Sequence, residues 1–204
     1  MRRTIQLLAT GWLAAMALPS GAVAGPNARG TLVIHVNEGL TYSFGAEYGG
    51  AGSLRSCRDA KTNVKRAHSR EESAVWFVYA AFPEKSSPRM AGVRFGVDYD
   101  SNNVSIIASG VSRLAELEQC TSRRWPKPGT GIGLRFTTTQ VARLLEVCWF
   151  AGYNYSDESR VFEVRAHPTM GGFFLDGSVP VQEDPVAAFG QLGFGQDGCA
   201  QCPD

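Results

Sequence analysis

A strict alternation of apolar with polar or small residues in the middle of the chain limits its fold more than any other feature. Residues 93–99 read Val-Arg-Phe-Gly-Val-Asp-Tyr, turn-forming residues follow at 100–103, and β-branched residues return at 104–107. Because successive side chains of a strand point to opposite faces, this pattern predicts two antiparallel strands joined as a hairpin.

Short apolar or alternating segments recur along the chain, and turn residues separate most of them. About eight such strands indicate an all-β domain, an antiparallel β-sandwich of immunoglobulin-like or jelly-roll type with few short helical turns. The 204 residues, 44% of them apolar, suffice for one such core. Besides the hairpin, strands are expected at 32–36, 74–82, 132–136, 147–153, 161–165 and 172–175, with another around 63–67 inside the charged segment 45–73.

Helix signals are confined to short segments. Residues 184–190 begin with Asp-Pro and end with Gly, which predicts a helix capped by Asp184. A short helix over 112–119 and one helical turn before the strand at 147–153 are also expected from the apolar spacing.

The first 24 residues have the features of a cleavable signal peptide. Two arginines precede an apolar run over 5–18, and Ala-Val-Ala at 22–24 offers a small-x-small cleavage site. The run is shorter than the ~20 residues of a membrane helix, so no membrane insertion is expected. The protein is therefore predicted to be secreted or periplasmic, and the leader looks bacterial.

The rest of the chain is expected to form two parts. Residues 25–180 are predicted to be the β-sandwich domain, and residues 181–204 a Gly-rich C-terminal segment linked to it by a disulfide. The formal charge is +1, and it becomes −1 when the two leader arginines are removed. Such a balance gives no electrostatic reason to expect a nucleic-acid partner.

All five cysteines follow the predicted leader, so an exported chain can form disulfides. We expect Cys199 or Cys202 to pair with Cys57 or Cys120, because nothing else ties down the C-terminal segment. Cys148 lies in an apolar run and is expected to be a buried thiol. The odd number leaves at least one cysteine outside any intrachain pair.

Two pairs of residues that contain carboxylates are candidates for catalysis or metal binding. His167 ends a strand and Asp176 follows nearby, which permits catalysis, although a hydrogen bond that fixes the loop is the favoured interpretation. Asp98 and Asp100 begin a segment like a calcium loop, but its Gly and Glu are missing, so a turn is favoured over weak metal binding. No cofactor is expected.

Three aromatic residues are the preferred candidates for ligand binding. Trp125 lies in a loop with two prolines and three positive charges, while Tyr153 and Tyr155 alternate along one strand. Pointing outward, they would offer a flat aromatic platform for a protein or a sugar; pointing inward, they belong to the core.

Two resemblances support the sandwich. Residues 92–110 are similar to an early strand pair of cohesin-like modules, and residues 171–177 (Gly-Gly-Phe-Phe-Leu-Asp-Gly) to their closing segment. The chain also resembles uncharacterised secreted bacterial proteins with Trp-Phe-x-x-Ala-Ala-Phe, Trp-Phe-Ala-Gly-Tyr and His-Pro-x-x-Gly-Gly segments, which match residues 76–82, 149–153 and 167–172. The cohesin-like resemblance implies a protein partner, and the second implies no known activity.

The sequence thus favours a secreted, non-catalytic binding or structural module whose partner is an extracellular protein or a glycan. The alternative is an extracellular hydrolase that uses residues around His167 and Asp176. A polar cleft would favour the enzyme and a flat aromatic surface the module.

Overall fold

The computed structural model describes residues 24–64, 68–118 and 121–204. The strands of these residues form two sheets, which are mainly antiparallel. The first sheet has four strands in the order β1-β3-β8-β5. These are Thr31–Thr41 (β1), Ala74–Ala81 (β3), Leu144–Asn154 (β8) and Val104–Val111 (β5).

The second sheet is built around a long strand, Met90–Tyr99 (β4). On one side of β4 lies Thr130–Gln140 (β7), which also pairs with Ala115–Leu117 (β6). The other side is shared by Phe173–Leu175 (β10) and Arg160–Arg165 (β9). The sheet is completed by Glu183–Pro185 (β11) beside β10, Gln191–Phe194 (β12) beside β9, and Asn63–Val64 (β2), which pairs with β12 in parallel. Short 3-10 helices occupy Cys57–Asp59 and Arg70–Glu72.

The main core lies between the sheets, and Trp76 is at its centre. Its fully buried indole contacts Phe150 of the same sheet and reaches Phe162 and Phe194 of the opposite one, with ring centroids 5.2–5.9 Å apart. Aromatic pairs at such distances add to the free energy gained from burial. This cluster therefore holds the two sheets face to face.

The outer face of the first sheet is covered by residues 42–60, here called the covering segment. Its Tyr48 and Leu54 are buried on an apolar patch formed by Val75, Phe77, Tyr79, Trp149 and Ala151. β3 is apolar on both faces because one face meets the core and the other meets this segment.

Polar contacts also fix the covering segment. The Glu146 carboxylate accepts the backbone N–H groups of Gly50 (2.6 Å) and Gly52 (3.0 Å). His35 Nε2 lies 3.2 Å from Ser53 Oγ. Burial raises the pKa of Glu146, although the two N–H donors oppose that change.

The predicted strands are confirmed, whereas the predicted hairpin is wrong. β4 and β5 belong to opposite sheets, and β5 pairs only with β8 among the described strands. The turn at 100–103 therefore carries the chain across the sandwich, so that both strands turn apolar residues to the same core. The strand expected around 63–67 is present as β2, and residues 65–67 lie outside the described part of the chain.

The predicted helices are also wrong. Residues 112–119 contribute β6, residues 144–146 already belong to β8, and residues 184–190 begin with β11. Asp184 does not cap a helix: its buried carboxylate accepts the N–H groups of Gly25 (2.8 Å) and Asn27 (2.9 Å). A helix cap bonds N–H groups of the next few residues, whereas Asp184 bonds N–H groups that are distant in sequence. Tertiary contacts have thus overridden the local helix preference.

Candidate functional site

A cavity of about 680 Å³ lies at the end of the sandwich where β3 ends and β8 begins. In the strand register, Ala81 is opposite both Thr31 and Leu144. The loops before β1, after β3 and before β8 therefore meet at this end. Ligand sites typically have volumes of roughly 300–1,000 Å³, so the cavity is large enough to be one.

A disulfide forms part of the cavity wall. Cys57, in the first 3-10 helix, is bonded to Cys202, and both residues line the cavity. The bond fixes the end of the covering segment against residues 202–204. One wall is thus made by two pieces of chain that are distant in sequence.

The cavity is rich in positive charge and has an apolar floor. Its lining includes five cationic side chains and two acidic ones: Arg29, Arg55, Arg58, Lys85 and Arg143 against Glu84 and Asp204. The floor contains four apolar residues, the half-buried Leu144 and the buried Ala81, Phe82 and Pro83. Such a combination suits a ligand that carries both negative charges and aliphatic groups.

Sequence reasoning missed this site. No residue of the charged segment 45–73 was among the expected ligand-binding residues, yet Arg55 and Arg58 line the cavity. The five cations come from four separate segments of the chain and form no recognisable local motif. The predicted disulfide was the one sequence signal that pointed to this region.

His167 is a structural residue of the loop between β9 and β10. The ring is 4% exposed, and its Nδ1 accepts the backbone N–H groups of Thr169 and Met170, both at 3.2 Å. A Cβ at Gly131 would lie 2.1 Å from the ring, so the glycine leaves the space that the imidazole occupies. This geometry supports the loop-fixing interpretation.

Asp176 stabilises a different loop. Its Oδ1 accepts the backbone N–H groups of Ser178 (3.1 Å) and Gln182 (2.8 Å) and the Ser178 hydroxyl (2.6 Å). Burial acts to raise the pKa of Asp176, but these hydrogen bonds outweigh it and hold the pKa below its usual range. Leu175, which precedes Asp176, pairs with Gly92 of β4. Arg165, two residues before His167, pairs with Gly96 of the same strand. The two candidates therefore serve separate loops.

The two candidate metal ligands are engaged in the turn and in ion pairs. Asp98 pairs with Arg165, and Asp100 lies 3.4 Å from Arg160 Nε. Asp100 Oδ1 also accepts the N–H of Asn102 at 2.9 Å. Among the described residues, no group of three or more His, Cys, Asp or Glu side chains could hold a metal ion.

Of the three aromatic candidates, Trp125 and Tyr153 pack partly against the main core, whereas Tyr155 is exposed. Trp125 is half-buried against Phe95 and Phe150, with ring centroids 5.9 and 5.7 Å apart. The ring centroids of Tyr153 and Tyr155 are 6.3 Å apart, and Tyr155 is 52% exposed. Their role in binding stays a prediction, and the packing of Trp125 gives it a share in the core.

The cysteines follow the expected pattern as far as they are described. Cys202 is bonded to Cys57, Cys148 is a buried thiol, and Cys199 carries a free thiol. Burial raises the pKa of the Cys148 thiol well above its usual value, so this thiol is poorly reactive. Cys120 lies outside the described residues.

Residues 24–64, 68–118 and 121–204 contain no helix with the length and apolarity that a membrane span requires.

The comparisons with known proteins return cohesin modules. One is the cohesin module of a family 33 glycoside hydrolase from Clostridium perfringens, at 8% identity and a TM-score of 0.49 over 81% of this chain and 96% of that one. Another is a type I cohesin from Pseudobacteroides cellulosolvens, at 10% identity and a TM-score of 0.45 over 85% and 95%.

A chain of a type I cohesin–dockerin complex from Clostridium thermocellum matches at 8% identity and a TM-score of 0.45, over 80% of this chain and 93% of that one. No protein-family model matches the chain, and no curated protein matches it significantly. The structures returned are cohesin modules, the family that residues 92–110 and 171–177 resemble in sequence.

Proposed function

We propose that this chain is an extracellular, non-catalytic module that binds a partner in the cavity beside the Cys57–Cys202 disulfide. The observation that carries the proposal is the cavity itself, a concave site of about 680 Å³ with a cationic rim and an apolar floor. Convergent charged groups around an apolar pocket are the usual signature of a binding site.

The non-catalytic part of the proposal is supported by what the catalytic candidates do. His167 Nδ1 and Asp176 Oδ1 accept backbone N–H groups of their own loops, and neither residue lines the cavity. The alternative hydrolase would need these two groups to share one substrate, and their loops lie at different levels of β4.

The extracellular setting is supported by the disulfide and by the leader-like first 24 residues. Disulfides persist in oxidising compartments and are rare in the cytosol. The Cys57–Cys202 bond is thus compatible with export.

Selection of peptides from a random twelve-residue phage library tests the proposal. Ala142 is exposed and lines the cavity, whereas its neighbour Val141 is 71% exposed and does not. Peptides that bind the wild type should lose affinity at least tenfold for Ala142→Trp, whose indole fills the cavity, and keep it for Val141→Trp. Equal binding to both variants would contradict the proposed site.

A further inference from the structure

We infer that the ligand of the cavity is an acidic segment of another protein, bound through its carboxylates at the cationic rim and its aliphatic side chains on the floor. This inference rests on the proposed function, and it adds the chemical class of the partner.

The first argument is the concentration of charge. The whole chain has a formal charge of +1, yet the side chains of the cavity lining have an excess of three positive charges. The cations come from the turn before β1, the covering segment, the loop after β3 and the turn before β8. A cleft lined by one sign of charge attracts ligands of the opposite sign and speeds their association.

The second argument is that most of these cations lack an anionic partner. Arg29, Arg55, Arg58 and Lys85 are exposed and form no ion pair within 4 Å with any residue in the described ranges. Their charges are therefore available to a ligand. Arginine is suited to this role because its planar guanidinium binds a carboxylate through two parallel hydrogen bonds.

The third argument is that parts of the rim are held in place before any ligand binds. Arg58 follows the disulfide-bonded Cys57, and Arg143 donates a hydrogen bond to the backbone carbonyl of Glu84. Arg29 has a φ of 65°, the one positive value among described residues other than glycine. Backbone conformations of this kind cost free energy and concentrate at functional sites.

The fourth argument separates a polypeptide from a sugar. The aromatic residue of the cavity lining, Phe82, is only 5% exposed and turns its ring to Phe174 in the core. The cavity therefore offers no flat aromatic face to a sugar ring. The half-buried Leu144 and the exposed Ala142 of the lining instead suit aliphatic side chains such as Leu or Val.

Isothermal titration calorimetry on the oxidised chain tests the inference. The probes are an octapeptide of alternating Glu and Leu, the matching Gln–Leu octapeptide, and hexagalacturonate as an anionic sugar. The Glu–Leu peptide should bind at least tenfold more tightly than the other two. The complex should weaken about tenfold between 0.05 and 0.5 M NaCl, because salt screens exposed charges.

Variants locate the binding and separate the two claims. Arg55→Ala/Arg58→Ala should weaken the Glu–Leu complex about tenfold, since each exposed ion pair contributes up to ~1 kcal/mol. The control is Arg123→Ala/Arg124→Ala, an exposed pair that does not line the cavity. It should change the affinity for the Glu–Leu peptide less than twofold.

Each other outcome overturns a defined claim. Binding of the Gln–Leu peptide with equal affinity, if Ala142→Trp abolishes it, would reject the acidic ligand and leave the proposed cavity site standing. Tighter binding of hexagalacturonate would replace the polypeptide with a glycan. No binding of the Glu–Leu peptide would reject the acidic ligand, and binding that Ala142→Trp does not affect would reject the cavity as the site.

Discussion

Cys57 and Cys202 are 145 residues apart in sequence, and their disulfide brings the Cα atoms to 5.7 Å at the wall of the basic cavity. The bond thus has two consequences. It fixes the end of the covering segment, and it sets the position of Arg58, one residue away, at the cavity rim.

Loss of this disulfide should destabilise the protein. Cys57→Ser/Cys202→Ser is expected to lower the free energy of unfolding by ~2–5 kcal/mol, because a long closed loop restricts the unfolded chain. Urea unfolding followed by tryptophan fluorescence measures the change. Cys199→Ser, which removes a free thiol, is the control and should cost less than ~1 kcal/mol. An equal loss in both variants would contradict the assignment of Cys57 and Cys202 as the stabilising pair.

Stability should decrease in acid through His35. Burial lowers the pKa of this histidine below its usual 6.5, Lys61 lowers it further, and Glu38 opposes the change. The folded state therefore favours the neutral ring, whose Nδ1 accepts the Lys61 N–H at 3.1 Å. Its contribution is fully present above pH 6.5 and is lost as the pH falls through the lowered folded-state pKa.

Urea titrations between pH 8 and pH 5 check this sign. The wild type should lose more free energy of unfolding than His35→Gln over the range, while His68→Gln, at an exposed position, should follow the wild type. The raised pKa of Glu146 acts in the opposite direction, because the folded state then binds its proton more tightly. The comparison is therefore made in a Glu146→Gln background. Identical pH profiles of the two histidine variants would refute the role of His35.

Trp125→Ala should act on stability. The indole packs on Phe95 and Phe150, so its removal is expected to lower the free energy of unfolding by ~2–4 kcal/mol. Tyr155→Ala, at a 52% exposed position, should cost less than ~1 kcal/mol. Thermal and urea unfolding measure both. A Trp125→Ala variant of unchanged stability that binds the Glu–Leu peptide ten times more weakly would restore the aromatic platform predicted from the sequence.

Arg29 is expected to contribute to peptide binding while its positive φ lowers the stability of the fold. Arg29→Gly relieves the positive φ and is expected to raise the free energy of unfolding by ~0.5 kcal/mol, while weakening the Glu–Leu peptide about threefold. Arg29→Ala keeps the strained backbone and should weaken binding equally without the gain in stability. If Arg29→Gly bound the peptide as well as the wild type, this arginine would have no part in the site.

The strands could be predicted from the sequence because side-chain alternation is a local property. The alternation at 93–99 identified β4 correctly, but period-two patterns do not specify which strands pair. The hairpin prediction therefore failed when the chain crossed to the other sheet after residue 99. In the same way, Asp184 satisfied the local rule for a helix cap while its carboxylate bonded Gly25, 159 residues away.

The cavity could not be predicted for a related reason. Its cations lie on four separate segments of the chain, which the strand register and one disulfide bring together. The aromatic and histidine candidates were visible because each lay in a short, distinctive segment. His167 illustrates the limit of such signals, since its Nδ1 accepts N–H groups of its own loop.

Reversal of the rim charge tests the central claim most directly. The variant is Arg55→Glu/Arg58→Glu. Calorimetry should show that its affinity for the Glu–Leu octapeptide is more than tenfold lower than that of the wild type. The variant should also bind a Lys–Leu octapeptide that the wild type does not bind. Circular dichroism and thermal unfolding would establish that the variant is folded. Unchanged binding of the Glu–Leu peptide by the folded variant would contradict the account of the cavity as an acidic-segment site.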